Sequence, residues 1–272
     1  MTIAELHGKL VPQSANWCHD RMEDLLTSDV FGTMKYTGWQ PGFLDWLRSA
    51  ISPDGTMRAS QVLPKDEDIR RVHFQFWPRL ANGREPDVLV GIEQMDKHLL
   101  VIMIEAKYLS GASDLFVEDY EITMHRSGDQ IADQVNNFPE RYPGIKDMLV
   151  TTRMHLYVTA HSSCPTDVYD NSRPHIRRKD IPLFWVNWQS LPAFLTRALQ
   201  TLENETAQAL LSDLLQLMTR KELVPFQGFD RKPARDFAQF IGCSLWPQST
   251  SVWWSTMAVP LPKPQHFFEG DI

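Results

Sequence analysis

The chain has 272 residues, 43% of them hydrophobic and 11% aromatic, with 34 acidic side chains against 27 basic ones and a formal charge of −7. That length and apolar content support one sizeable domain with a second subregion, and exclude a disordered or collagenous composition. The acidic balance excludes a surface coated throughout in nucleic-acid-binding charge, but leaves room for a local basic cleft, or for carboxylates whose divalent cation brings positive charge to phosphate.

The cysteines Cys18, Cys164 and Cys243 are scattered and odd in number. They lack the paired spacing of a zinc site and fit a reducing compartment. The opening MTIAELHGKL has no apolar run of the secretory kind, and the longest apolar stretch, LLVIMI from Leu99 to Ile104, is too short to span a bilayer. A cytoplasmic protein with no membrane partner is expected.

In chain order, residues 1–17 show little periodicity. From Cys18 to Ser28, Met22, Leu25 and Leu26 fall at helical spacing, with Asp20, Glu23 and Asp24 on the polar side. Gly42–Ile51 reads as a second helix, stopped by the Pro53–Gly55 turn. Residues 56–70 are polar, fitting a loop with a short helix. Val72–Leu80 alternates as a half-buried strand does. Pro86–Glu93 and Leu99–Tyr108 are apolar at successive positions, as central strands covered on both faces should be. Ser113–Phe138 is polar and weakly helical, ended by Pro139. Met154–Ala160 and Leu183–Trp188 read as further buried strands, with residues 161–182 a Pro-, Asp- and Arg-rich loop between them. Leu191–Leu202 and Ala207–Met218 read as amphipathic helices, the second with Leu210, Leu211, Leu214, Leu215 and Met218 to one side. This order predicts an α/β fold: a small mixed sheet flanked by helices over residues 1–222, then a Pro- and Trp-rich extension, 223–272, that packs on the core or a partner.

The central hairpin carries the chemistry. A symmetric turn centred on Asp96 brings residues equidistant from it face to face, so Asp87 lies opposite Glu105; a slip of one residue would break the pairing. Glu105 and Lys107, two apart on one strand, project to the same face. Opposed carboxylates repel, and burying either unpaired costs several kcal/mol, on the order of a buried ion's desolvation. A divalent cation between them relieves that cost. Mg²⁺ takes one or two carboxylates, keeps waters and leaves positions for phosphate oxygens. The lysine can orient or deprotonate an attacking water, or stabilise charge developing on phosphorus. Phosphodiester hydrolysis needs these parts.

Pro86-Asp87, followed after a short hairpin by Glu105-Ala106-Lys107, resembles the PD-(D/E)xK signature of the restriction-endonuclease-like nuclease superfamily. That family's core, a helix, three strands, a helix and a strand, matches the order above over roughly residues 18–190. The resemblance implies metal ligation by Asp87, Glu105 and the Ala106 carbonyl, with Mg²⁺ as cofactor and Mn²⁺ able to substitute. It also implies an acidic residue on the first helix pointing at the metal, for which Glu23 fits, with Asp20 and Asp24 as competitors. A glutamine on the helix after the second acidic strand completes the set; Gln130 is preferred over Gln134, one turn on. The stretch EDLLTSDVFGTMKY from Glu23 to Tyr36 looks like the opening of standalone bacterial nucleases linked to defence against phage.

No histidine falls in an HxxxH pair, and no GxSxG, Walker-type loop or dinucleotide fingerprint is present. His98 is expected to be exposed in the hairpin turn, and His155 to be a satisfied core histidine. Arg173, Arg177, Arg178 and Lys179 form the densest basic run and are the candidate phosphate contacts; Arg231, Lys232 and Arg235 are a weaker cluster, and Trp253 and Trp254 suit packing of the tail. The expected function is a Mg²⁺-dependent DNA endonuclease of prokaryotic antiviral defence, a homodimer or bound to a partner protein. The alternative is a catalytically silent subunit of the same fold that binds nucleic acid or assembles with a partner. A sequence-specific restriction enzyme is a third reading, although nothing marks a separate target-recognition domain.

Overall fold

The two most apolar segments of the chain lie side by side at the middle of a five-stranded sheet. β2 (Val88–Gln94) and β3 (His98–Ala106) form an antiparallel hairpin, and apart from Gln94 and His98 every residue in them is buried. Val88 pairs with Ile104 and Glu93 with Leu99, each pair equidistant from Asp96, so the turn is symmetric as expected. The computed structural model describes residues 20–39, 42–108, 129–145 and 148–224, all within one compact unit, Met1–Pro225. Cys18, Cys243, the Arg231–Arg235 cluster, Trp253, Trp254 and the first part of the segment Ser113–Phe138 lie outside the described residues.

β1 (Ile69–Phe76) pairs antiparallel with β2, while β4 (Leu149–Thr159) and β5 (Leu183–Asn187) run parallel to β3 and to each other, giving the order β1-β2-β3-β4-β5. The sheet is therefore mixed, antiparallel on one side of β3 and parallel on the other. Alternate residues of the inner strands feed two separate cores. Val88, Val90, Ile102, Ile104, Leu156 and Val158 face one side; Leu89, Val101, Met103 and Tyr157 face the other. Covering both faces explains the unbroken apolar runs. Gly91 leaves the space that the Tyr142 ring occupies: a Cβ there would stand 2.9 Å from that ring. The Tyr142 hydroxyl then donates to the Leu89 carbonyl at 3.1 Å.

Helices α1 (Asp20–Thr37) and α2 (Phe43–Arg48) cover the first face, with α5 (Leu191–Thr201) and α6 (Glu205–Arg220). Trp46 of α2 stacks on Trp188 at 5.7 Å between centroids. The second face carries α3 (Gln130–Asn136) and α4 (Thr166–Ser172).

Four expectations need correcting. α1 runs well past Ser28, because Val30, Phe31 and Met34 extend its apolar face onto the core. The first strand stops at Phe76, since Trp77 turns the chain with φ 45 and Pro78 offers no N–H. The loop 161–182 carries α4, held by the Tyr169 hydroxyl on the Phe184 carbonyl at 2.9 Å. On α6 the buried positions are Ala207, Leu211, Leu214 and Met218, while Leu210 is exposed.

α6 ends in a Schellman turn: the Glu222 N–H donates to the Thr219 carbonyl at 3.0 Å and the Leu223 N–H to the Met218 carbonyl at 2.9 Å. Glu222 takes the left-handed position, φ 58, that glycine fills at least cost. Leu223 and Met218 are both buried in the core, supplying the apolar contact that accompanies such turns.

Candidate active site

The site begins where the hairpin runs out of ladder. The paired register ends at Val88–Ile104; extended one step it would set Asp87 beside Glu105, and one step more Pro86 beside Ala106. Proline has no N–H to give to the sheet. The Ala106 N–H is taken by the Asp87 side chain, donating to Oδ2 at 2.8 Å. The Ala106 carbonyl points to the same side of the strand as its N–H, toward a neighbour that cannot donate from its backbone. Asp87 itself stays on the sheet, its carbonyl accepting from the Trp77 N–H at 2.9 Å.

Lys107 follows directly after β3. Its N–H donates to the Val158 carbonyl at 2.7 Å and its carbonyl accepts from the Trp188 indole at 3.0 Å. With the backbone fixed, the ammonium donates to Glu105 Oε1 and to Glu23 Oε1, both at 2.9 Å. Glu23 comes from the first turns of α1, and its second oxygen accepts from the Tyr108 N–H at 3.0 Å. Exposure of Asp87, Glu105, Lys107 and Glu23 is 6%, 2%, 7% and 8%, so all four charged side chains are buried. Glu23, from α1, thus reaches the cluster.

Both glutamines reach it as well. The Gln130 amide donates to Glu105 Oε1 and the Gln134 amide to Oε2. α3 is short, and its start is secured by Asp129, whose Oδ1 accepts from the Ala132 N–H at 2.7 Å and Oδ2 from the Ser172 hydroxyl of α4 at 2.8 Å. Arg84 ties the loop before Asp87 to the same helix, its guanidinium on Asp133 Oδ2 at 3.0 and 3.2 Å. Behind Gln134 stands His155 of β4, with Nε2 2.9 Å from Gln134 Oε1. His155 is core, as expected, but only half satisfied: its Nδ1 has no partner among the described residues. No local pattern announces this contact, because it joins a strand to a helix across the second core.

Burial raises the Asp87 carboxyl well above the usual carboxylate range. The Glu105 charge adds to this, while Lys107 and the Ala106 N–H oppose it. Burial alone would lower Lys107, but Glu105, Asp87 and Glu23 outweigh it and hold the ammonium firmly protonated. In this state Lys107 is a donor and not a base. Burial also lowers His155 to about 3, leaving a neutral ring.

Among the described residues no group of three or more His, Cys, Asp or Glu side chains is arranged to hold a metal. The available donor set is smaller: the Asp87 and Glu105 carboxylates and the Ala106 carbonyl. Two carboxylates and one carbonyl fit Mg²⁺, which retains several waters. The desolvated, charge-crowded Asp87 is the group that a cation would most relieve.

The basic run is not brought to this cluster. Arg178 is bound to Glu140 at 2.8 Å and to Asp180 at 2.9 Å, Lys179 donates to the Arg173 carbonyl at 3.0 Å, and the Arg177 N–H donates to Asn136 at 2.7 Å. Asn136 closes α3 at the end opposite Gln130, roughly 9–10 Å away at helical rise. His98 is exposed, as expected, and pairs with Asp96 at 2.9 Å. Cys164 is a free thiol that burial, then the Asp167 charge, pushes up to about 11. Among the described residues no helix is long and apolar enough to cross a membrane.

Compared with protein-family models, curated proteins and solved structures, the chain matches none.

Proposed function

We propose that the chain is a Mg²⁺-dependent nuclease of the restriction-endonuclease-like kind, hydrolysing DNA phosphodiester bonds. The observation that carries this reading is the burial of Asp87 and Glu105 together at the end of the hairpin where Pro86 interrupts the ladder, with the Lys107 ammonium on Glu105. Burying opposed carboxylates is expensive. The cost is intelligible where a divalent cation is to be held, and the PD…EAK pattern of Pro86-Asp87 and Glu105-Ala106-Lys107 supports the same conclusion.

Asp87, Glu105 and the Ala106 carbonyl would hold the cation, with Mn²⁺ able to replace Mg²⁺. When bound, the cation supplies Lewis acidity and positive charge at phosphate. The protein does the rest. Gln130 and Gln134 fix both oxygens of Glu105, and Glu23 holds Lys107 from the α1 side. Lys107, as an ammonium, accepts no proton but would orient the attacking water and offset the negative charge on the phosphoryl oxygens as the water oxygen bonds to phosphorus and the P–O bond to the leaving oxygen breaks, the water's proton passing to solvent. The setting in antiviral defence is proposed on the likeness of the Glu23–Tyr36 segment alone.

Plasmid incubated with Mg²⁺ or Mn²⁺ tests the assignment. Wild type should nick or linearise it, with Asp87→Asn and Lys107→Ala each at least ~100-fold slower, since removal of one transition-state donor costs on that order. Equal cutting by all three would sink it. A second reading draws on the ion pairs of Lys107 with Glu23 and Glu105, which already neutralise part of the cluster. In that reading the chain is a silent subunit that binds nucleic acid or a partner. Salt-sensitive DNA binding with no cleavage by any of the three would favour it.

A further inference from the structure

The His155–Gln134–Glu105 chain lies entirely inside the protein, with exposures of 0%, 0% and 2%. Its chemistry fixes the direction of each bond. Gln134 presents its amide nitrogen to Glu105 Oε2, so its carbonyl oxygen faces His155. A carbonyl only accepts, so the His155 nitrogen at 2.9 Å must carry the proton. A neutral ring protonated at Nε2 leaves Nδ1 bare, and Nδ1 is the ring atom with no partner among the described residues. The three observations fit one tautomer.

A glutamine amide has two nearly isosteric ends. Turned around, Gln134 would set an acceptor against an acceptor at Glu105. On its Glu105 side, Lys107 and Gln130 occupy Oε1 and neither holds Oε2. That clash favours the donor end from the front, and from behind β4 supplies His155 as a second hold.

We propose that His155 is a positioning residue for Glu105: it donates Nε2–H to Gln134 and thereby keeps the donor end of that amide on the carboxylate. The proposal deepens the reading of Glu105 as a metal ligand and names a residue beyond those the PD-(D/E)xK likeness supplies. A leucine or methionine would fill the same apolar space and spare the orphaned Nδ1. A histidine is explained by the bond it makes.

Two variants separate positioning from packing. Glutamine can place an amide N–H near the Nε2 position, whereas methionine fills the volume and donates nothing. Apparent Mg²⁺ and Mn²⁺ affinities are read from thermal shifts of the full chain, with melting in EDTA as the measure of fold. His155→Met should melt near wild type in EDTA yet bind metal roughly 10–100-fold more weakly, the usual scale for supporting hydrogen bonds. His155→Gln should recover most of that loss. Full metal affinity in His155→Met, or equal weakness in both variants, overturns the proposal. Long-range ¹H–¹⁵N correlation on the metal-free protein decides independently: the proton should sit on Nε2, and a proton on Nδ1 overturns the proposal. Wild type without any metal response would overturn the nuclease reading, while the tautomer measurement would still decide the positioning of Gln134.

Discussion

Asp87 and Glu105 belong to the same buried cluster but are treated differently by their surroundings. Glu105 accepts from two amides and an ammonium, whereas Asp87 has one backbone N–H. Burial and the neighbouring Glu105 charge raise Asp87, so the folded chain holds its proton more tightly than the unfolded chain does. That contribution to stability is complete below the ordinary carboxylate range and is lost as pH rises through the raised value. Asp87→Asn keeps an acceptor for Ala106 and removes the titration. In EDTA its melting temperature should equal or trail wild type in acid and exceed it at pH 8, by on the order of 1 kcal/mol or ~2–4 °C. A variant less stable than wild type at pH 8 would show that Asp87 is not strained by its charge. His155 titrates in the opposite sense. Its depressed value, about 3, contributes stability above the ordinary histidine range that is lost as pH falls toward that value. The grouping of Asp87, Glu105 and Lys107 was legible in sequence because they lie within one local hairpin. The contact of His155 with Gln134 was not, because it depends on how deeply α3 settles onto β4.

At the scale of elements, sequence showed the strands better than their ends. β2 and β3 could be read directly, since burial on both faces leaves an unbroken apolar signature. The end of α1 could not, because its continuation past Ser28 depends on tertiary contacts of Val30, Phe31 and Met34 that outweigh the local Ser-Asp signal. α4 was hidden among turn-forming residues for the same reason. The Schellman turn of α6 offers a clean measurement. Glu222 occupies a left-handed position that costs a non-glycine residue ~1 kcal/mol, so Glu222→Gly should stabilise the chain by roughly that amount or slightly less in urea unfolding. A loss of stability would mean that the Glu222 side chain makes a contact outweighing the backbone strain.

Over the whole molecule, the cluster lies beside the carboxyl ends of the parallel strands β3 and β4, where the antiparallel half of the sheet begins. Sequence could not supply that, since the order of β4 and β5 depends on pairings distant along the chain. It also could not show that the basic run lies at the far end of α3. A contact of Arg177, Arg178 and Lys179 with DNA would therefore act on phosphates away from the bond being cut. Replacing all three by alanine should raise KM, flatten its salt dependence and leave kcat within ~2-fold, because phosphate contacts supply affinity and not chemistry. A fall in kcat matching the rise in KM would place the run at the reacting phosphate. The bond from the Ala106 N–H to Asp87 has a different reach, into descent. The Ala106 N–H is held by the Asp87 carboxylate and by no ladder bond, so the side chain at position 87 also serves as the cap of the sheet. A lineage that abandoned cleavage would still be selected to keep an acceptor there, with asparagine or serine tolerated and alanine disfavoured.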